Sequence, residues 1–336
     1  MRNESRIKFN QLRSHIAKLN AVESSAEQFA VTPTIQQRLE TRMQESAGFL
    51  SRINVIGVDE IKGEKIGLGV SSTIAGRTDT TAKDREPNDV TDLASNQYEC
   101  VQTNFDTLLR YKTIDAWAKF PDFQARVRDT IIKQQALDRI MIGFNGTSAA
   151  VETDRQANPL LQDVNKGWLQ QYRENAPERV MSEVVDASGK VNVGPSGDYK
   201  NLDALVFDVT NNMIEPWHQE NPDLVVVVGR DLMADKYFPI IDQDNAPTEQ
   251  VALQMIVSQK RMGNLQVVQV PFMPSGTMMI TTLDNLSIYY QLGARRRQII
   301  DNPKRDRIEN FESSNDAYVV EDYGLGAVVE NITLVE

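Results

Sequence analysis

The sequence predicts an α+β fold, on two observations. Some stretches repeat apolar residues every three or four positions, as amphipathic helices do, whereas others alternate apolar and polar residues, as half-covered strands do. These patterns follow one another without the regular strand–helix–strand order of a parallel α/β sheet. We therefore expect helices packed against largely antiparallel sheets.

Length and composition are those of a globular chain of about two domains. The 336 residues are 40% apolar and 25% charged, which excludes a disordered chain, a collagen-like fibre and a coiled-coil rod. The net charge is −11, so the chain as a whole should repel nucleic acid. The N-terminus lacks the apolar run of a secretory signal, and the longest apolar run, residues 224–228, is too short to span a membrane.

Residues 1–31 differ from the rest of the chain in charge. Ile7, Leu12, Ile16 and Leu19 recur at mostly helical spacing, and the segment carries five basic and three acidic residues. Two interpretations stay open: a solvated amphipathic helix, or a detachable interaction segment. Residues 34–53 then predict a short helix followed by an extended arm.

A long hairpin is predicted next. Residues 66–74 and 101–111 each alternate apolar and polar side chains, which predicts an outgoing and a returning strand. The polar run between them, residues 75–95, is longer than connections in compact domains usually are. Such a hairpin needs a further surface to lie on, in its own domain or in a neighbour.

The strongest helix signal covers residues 123–143, with Gly143 and Gly146 as its expected stop. Trp168 and Tyr172 suggest a helical turn, and residues 202–213 predict a helix that Pro216 ends. Residues 224–228 predict a strand buried on both faces. A helix starting at Thr248 and ending at Gly263 is expected to follow. Short strands are expected at 265–270, 277–282, 286–291, 307–312, 317–322 and 327–335.

Sequence motifs for catalysis or metal binding are scarce. Cys100 is the single cysteine and His15 and His218 are the two histidines, which excludes an internal disulfide, a four-thiolate metal site and a three-histidine site. Gly67-Leu68-Gly69 is a fragment of a glycine-rich loop without its third glycine. We expect Cys100 to be a buried small side chain and His218 a surface or packing residue. No catalytic residue, cofactor-binding residue, metal ligand or cofactor is predicted, and the chain is not expected to be an enzyme.

Two basic clusters occur near the C-terminus. Arg295-Arg296-Arg297 and Lys304-Arg305-Asp306-Arg307 stand among Asp301, Asp306 and Glu309. This mixture favours a solvated face or charge pairs between subunits over a nucleic-acid footprint.

The order of segments, and a collinear set of short motifs, resembles the major capsid protein family of P2-like phages, whose shell proteins have the HK97 fold. The motifs run from end to end: the N-terminal MRNESRIKFNQL, Met43-Gln44-Glu45-Ser46, Phe49-Leu50-Ser51-Arg52-Ile53-Asn54, Lys62-Gly63-Glu64-Lys65-Ile66-Gly67, Leu93-Ala94-Ser95-Asn96, Arg110-Tyr111-Lys112-Thr113, Gly143-Phe144-Asn145-Gly146, Asn158-Pro159, Leu161-Gln162-Asp163-Val164, Gly167-Trp168-Leu169-Gln170, Thr210-Asn211-Asn212, Ile214-Glu215-Pro216-Trp217, Asp235-Lys236-Tyr237-Phe238-Pro239, Asn285-Leu286-Ser287-Ile288-Tyr289-Tyr290 and Tyr318-Val319-Val320-Glu321-Asp322-Tyr323. No single motif is diagnostic, but the ordered set is specific.

The resemblance implies an α+β, HK97-like fold in five parts. Residues 1–31 would be a removable, scaffold-interacting segment, 32–55 an N-terminal arm and 56–112 the E-loop hairpin. Residues 113–200 and 301–336 would form the peripheral domain, with its spine helix at about 123–143. Residues 201–300 would form the axial domain.

The resemblance also implies function and partners. The chain would self-assemble into pentamers and hexamers of an icosahedral head, built in the host bacterial cytoplasm. Its partners would be an internal scaffold, a maturation protease, a portal protein and packaged double-stranded DNA bound without sequence specificity, with no membrane involved. The alternatives are an encapsulin-like compartment that encloses protein cargo and an acidic soluble enzyme.

Two sets of site residues are expected. Processing is placed near Ala30, Val31 and Thr32. Contacts between subunits are placed at basic side chains, namely Lys62, Lys65, Arg77, Arg85, Arg295, Arg296, Arg297, Arg305 and Arg307.

Overall fold

In a computed structural model, two sheets and the helices between them share a central apolar core. The structure describes residues 1–65, 75, 77–82, 84–85, 97–117, 120, 122–233 and 260–335. The outgoing strand predicted at 66–74, most of the polar run that follows it and the helix predicted from Thr248 lie outside these residues.

Six α-helices occur in the described residues: α1 (Asn3–Leu19), α2 (Pro33–Ser46), α3 (Tyr111–Trp117), α4 (Phe123–Asn145), α5 (Trp168–Asn175) and α6 (Leu202–Met213). Local sequence explains several of their ends. Pro33 occupies the first position of α2, where a missing N–H costs nothing. The side chain of Asn201 caps α6 by accepting the Ala204 N–H at 2.8 Å.

The strands are β1 (Phe29–Ala30), β2 (Asn54–Val58), β3 (Lys62–Glu64), β4 (Gln97–Glu99), β5 (Val101–Asn104), β6 (Thr107–Arg110), β7 (Val180–Met181), β8 (Val191–Val193), β9 (Val225–Val228), β10 (Arg261–Met262), β11 (Leu265–Gln269), β12 (Met278–Thr281), β13 (Leu286–Gln291), β14 (Arg296–Asn302), β15 (Arg307–Val320), β16 (Ala327–Val329) and β17 (Ile332–Leu334). Within the described residues, seven of them form the first sheet, in the order β1–β14–β15–β13–β2, with β5 and β6 also pairing to β15. The pairs β3–β4 and β8–β17 stand apart from the two main sheets.

The second sheet has the order β10–β11–β9–β12–β16–β7 in the described residues. Its strand β9 consists of four valines, all buried. Val225 and Val227 face the central core, whereas Val226 and Val228 face α6 on the other side. This confirms the prediction of a strand buried on both faces.

Helices α4 and α5 pack closely in the central core. Trp168 is fully buried at the start of α5, and its indole N–H donates to the carbonyl of Ser287 at 3.0 Å. Gly146 caps the end of α4 as predicted, whereas the helix passes through Gly143 and continues to Asn145. Gly143 instead allows Trp168 to lie against the helix, because a Cβ at position 143 would come within 2.2 Å of the indole ring.

Three strand predictions need correction. The strand predicted at 327–335 is two strands, β16 and β17, which pair in different sheets. The returning strand at 101–111 is divided into β5 and β6, and Tyr111 begins α3. Between the two strands, the Phe105 N–H donates to the Glu312 carbonyl and Asp106 accepts the Glu312 N–H. The register against β15 is the same on both sides of the break, so Phe105 and Asp106 oppose Glu312 and Phe311, and the Asp106 side chain replaces one backbone acceptor of the ladder.

The strands predicted separately at 307–312 and 317–322 are one strand, β15. The polar residues between them do not interrupt it because their side chains find partners inside the protein. Ser314 donates to Asp316 at 2.6 Å, and Asp316 pairs with Arg139 at 3.0 Å.

Candidate functional site

Metal and thiol chemistry have no support in the part of the chain that the structure describes. No group of three or more His, Cys, Asp or Glu side chains there could hold a metal ion. Cys100 is buried as expected, and burial raises the pKa of its thiol to about 12. His218 packs beside Trp217, and its Nε2 lies 3.3 Å from a carboxylate oxygen of Asp322.

A cleft of about 680 Å³ lies between the β3–β4 hairpin, β15 and α5. Lys65 extends into it, donates to the Val320 carbonyl at 2.9 Å and lies 4.2 Å from the ring centre of Tyr323. Burial lowers the pKa of Lys65 to about 8, against the opposing effect of Glu321 and Asp322. These contacts anchor the base of the hairpin to the first sheet, which is a structural role.

A network of charged side chains is buried beneath the first sheet. Arg139 of α4 pairs with Glu40 of α2 and, at 3.0 Å, with Asp316. Arg295 pairs with Glu40 at 2.9 Å and with Glu312 at 2.6 Å. The network therefore joins α2, α4 and β15 to the residue that precedes β14.

Electrostatic effects in this network have clear directions. Burial alone would raise the pKa of Glu312, but the charges of Arg295 and Arg297 and hydrogen bonds from Arg295 and Gln135 hold it at about 2. Burial alone would lower the pKa of Arg139, but Asp316 and Glu40 outweigh that effect and raise it. Each ion is thus buried together with its counter-charges.

Arg295 was expected at a contact between subunits, and the structure corrects this. Its side chain is 1% exposed, and its partners belong to its own chain. A guanidinium so enclosed has no surface to offer a neighbour. The sequence alone could not separate Arg295 from the two arginines that follow it.

The other predicted contact residues have varied surroundings. Arg296, Arg305, Arg77, Arg85 and Lys62 are exposed, although Lys62 pairs with Glu99 at 2.9 Å. Arg297 donates to Asn310 at 2.9 Å and Arg307 pairs with Glu309 at 2.6 Å, and both are partly exposed. Arg296 and Arg305 flank opposite ends of β14, so the set does not converge on one site.

The predicted processing residues lie at the edge of the first sheet. Ala30 is exposed in β1, opposite Arg296 of β14. Val31 is buried, and its N–H donates to the Arg295 carbonyl at 2.8 Å. The structure therefore places the predicted junction directly beside the arginine cluster, which the sequence had not linked to it.

The sequence predicted only in part which side chains of residues 1–31 are buried. Phe9 and Ile16 are buried in α1, whereas Ile7 and Leu19, which the spacing had placed on the same apolar face, are 59% and 45% exposed. The signal was present in the sequence, because Phe9, Leu12 and Ile16 form a consistent helical stripe.

Comparisons with known proteins agree over the whole chain. The family described as "Phage major capsid protein, P2 family" matches residues 8–332. The "Capsid proteins" of Escherichia phage P2 are 54% identical, with 99% of this chain and 95% of that protein covered. The "Major capsid protein" of Serratia phage KSP20 is 42% identical, with 100% and 99% covered.

Solved structures give the same picture. A chain of a satellite phage P4 procapsid that includes the size determination (Sid) protein is 53% identical, with a TM-score of 0.84 over 100% of this chain and 99% of that one. A chain from the capsid of an empty GTA particle has a TM-score of 0.50 at 14% identity, over 86% of this chain and 90% of that one. This second likeness concerns the fold.

Proposed function

Because the chain belongs to the P2 family of phage major capsid proteins, we propose that its copies assemble as pentamers and hexamers into an icosahedral head around double-stranded DNA. The chain is a major capsid protein with an HK97-like fold, and as such a component of the virion. The end-to-end match to a procapsid chain at 53% identity carries the proposal. An encapsulin-like container is not favoured, since the chain resembles phage capsid proteins over its full length.

The domain division of the family is proposed for this chain in a modified form. The second sheet with α6 would be the axial domain, and the first sheet with α4 the peripheral domain. Residues 201–300 were expected to be axial, yet β13 and β14 lie in the first sheet, whereas β7 and β16 lie in the second. Residues 32–55 would be the arm, and 56–112 the E-loop, whose ends β2, β5 and β6 pair within the first sheet.

Residues 1–31 would bind an internal scaffold and then be removed near residues 30–32 by a maturation protease. The exposed face of α1 supports the first step, because it carries Ile7, His15, Lys18 and Leu19 on the outside. The segment carries a net charge of +2, so the rest of the chain carries −13. A strongly negative lining would not hold phosphates and would suit a container for packed DNA.

The remaining partners follow from assembly of the head. A portal protein would occupy one vertex, and assembly would take place in the host bacterial cytoplasm. Within the described residues no helix is long and apolar enough to cross a membrane. The family is one of structural capsid proteins, and we assign this chain no catalytic activity.

Exposed arginines at the two ends of β14 are proposed contacts between subunits. Replacing Arg305 with glutamate should lower the yield of closed particles, because a charge pair with a neighbour becomes a repulsion, whereas Arg305→Lys should retain most of it. Particle yield is measured by sedimentation of cleared lysates. Equal yields for the glutamate and lysine variants would remove Arg305 from the interface.

The assembly itself is tested by expressing the chain together with its scaffold and sedimenting the product. We expect rings or closed shells in negative-stain electron micrographs. A monomer or dimer under all conditions, with scaffold present, would contradict the proposed function.

A further inference from the structure

Residues 1–31 lie as a cover on one end of the first sheet. On the inner side of the cover, Phe9 and Val31 are 3% and 2% exposed. The surface beneath belongs to α3, α4, β14 and β15, and its buried apolar side chains are Tyr111, Ile114, Val127, Ile299 and Ile308. This cluster is separate from the central core and from the core under α6.

Polar contacts between the cover and the rest of the chain lie mostly at its margin, among them Gln298 to the Ala26 carbonyl at 2.8 Å and the Arg2 N–H to Asp115 at 2.9 Å. Arg6 pairs with Asp301 at 2.7 Å, with 43% of the arginine side chain exposed. The Ile299 N–H donates to the Ser25 carbonyl at 2.8 Å. Strand β1 is two residues long and forms the outer edge of the sheet. An element held at the edge of a sheet by its own small apolar cluster and by polar contacts at its margin can open without the rest of the fold.

The predicted processing junction is closed while the cover is docked. The Val31 N–H is already bonded to the Arg295 carbonyl, and the Val31 side chain is buried. Many binding clefts, including those of proteases, take an extended segment through its free backbone groups. Strand β1 is paired on one side, so only its outer edge is free, and the buried Val31 side chain cannot reach the pockets of such a cleft.

We propose that residues 1–31 undock from the first sheet as one unit, and that the junction at residues 30–32 meets a protease only in the undocked state. The inference rests on the processing step of the proposed function. Undocking also uncovers the edge of β14 and the apolar surface beneath α1, so processing and exposure of that surface are coupled.

A disulfide that holds the cover on the sheet, and that can be reduced again, tests the inference. We call it the lock. Ala30 lies opposite Arg296, and the hydrogen bond from Val31 to Arg295 makes this the non-hydrogen-bonded pair, with Cα atoms about 4.5 Å apart. That separation is within the range of a disulfide. Because Cys100 is buried, the double variant Ala30→Cys, Arg296→Cys should oxidise at the introduced pair.

The locked chain is digested with subtilisin, a serine protease of broad specificity, before and after reduction. Mass spectrometry then follows products cut within residues 28–34. We expect cleavage there to be at least about tenfold slower in the oxidised chain than in the same chain reduced, since opening is the required step. Equal rates in the two forms would overturn the inference.

A second variant tests whether the cover opens as a separate unit. Phe9→Ala removes a buried aromatic ring from the cover and should speed cleavage at the junction at least about tenfold, with Phe9→Leu causing a smaller increase. Amide hydrogen exchange at Val226 to Val228, in the second sheet, should stay unchanged. Unchanged cleavage, or an equal rise in exchange at those valines, would overturn the inference.

Failure of this inference and failure of the proposed function give different results. The digestion uses the unassembled chain and a protease unrelated to any phage, so its outcome does not depend on shell formation. Sedimentation with the scaffold tests shell formation and does not depend on the lock.

Discussion

Arg139 and Arg295 are buried among Glu40, Glu312 and Asp316, although the five residues are widely spaced along the chain. At the residue scale, this buried network could not be predicted from the sequence. Charged residues are rarely buried unless paired, and a single sequence does not show the pairing. Arg295 and Arg296 were therefore both expected on the surface. Only Arg296 lies there.

Arg139→Met should lower the free energy of unfolding by about 3–5 kcal/mol, because Asp316 would remain buried without its counter-charge and Glu40 would keep only Arg295. Urea unfolding followed by fluorescence measures the loss. Arg128→Met is the matched control, since Arg128 lies on the same helix in an exposed pair with Asp129, and should change stability by less than about 0.5 kcal/mol. Similar losses for the two variants would contradict the role of the network.

Glu312 gives a prediction for pH. Its pKa is about 2 in the folded chain and about 4.3 in an unfolded one, so the unfolded state binds more protons between these values. The stabilisation from Glu312 is complete above about pH 4.3 and is lost as the pH falls toward 2.

The variant Glu312→Gln should be less stable than the parent near neutral pH. Its free energy of unfolding should then fall less steeply from about pH 4.5 downward, because one depressed carboxyl group is gone. Unfolding curves across the acid range measure both slopes. A slope as steep as that of the parent would show that other groups cause the acid sensitivity.

Helices and short strands with a regular pattern were predicted well at the element scale. Helices α4, α5 and α6 and strands β9, β11 and β13 lie where the sequence indicates, since each buries one stripe or a continuous apolar run. The short strand β1, the strand β14 and the unbroken course of β15 were missed. The sequence of β14 is mostly polar and lacks a regular alternation. The other two depend on partners distant in sequence, because β1 pairs with β14 and the polar middle of β15 is satisfied by α4.

The crossing of α4 and α5 depends on glycine. Gly143→Ala should destabilise the chain by about 1–3 kcal/mol, because the added methyl group would overlap the ring of Trp168. Gly48→Ala is a suitable control, because nothing lies within 4 Å of its added Cβ. Thermal unfolding of both variants measures the difference. A Gly143→Ala variant with the same melting temperature as the parent would contradict the close contact between Trp168 and α4.

The arrangement of the two sheets emerges only at the scale of the whole molecule. Strand β2 pairs in parallel with β13, more than 200 residues later, and β7 joins β16 in the second sheet. Periodicity indicates which face of a strand is covered but not which strand covers it. The overall fold therefore followed from the resemblance of the ordered motifs, and the physical patterns alone reached only the α+β class.

Net charge also belongs to this scale. The net charge of the chain is −11, and it would be −13 without residues 1–31. The proposed maturation would therefore make each subunit more negative. The positive segment lies folded on the surface of the first sheet instead of extending as a free tail. Its removal would thus change both the charge and the exposed surface of each subunit.

An electron cryomicroscopy reconstruction of assembled particles tests the central claim most directly. We expect a closed icosahedral shell in which the second sheet and α6 of each copy surround the five-fold and six-fold positions, with the first sheet and α4 at the periphery of each ring. Particles without this symmetry, or rings with the first sheet at the axis, would contradict the account.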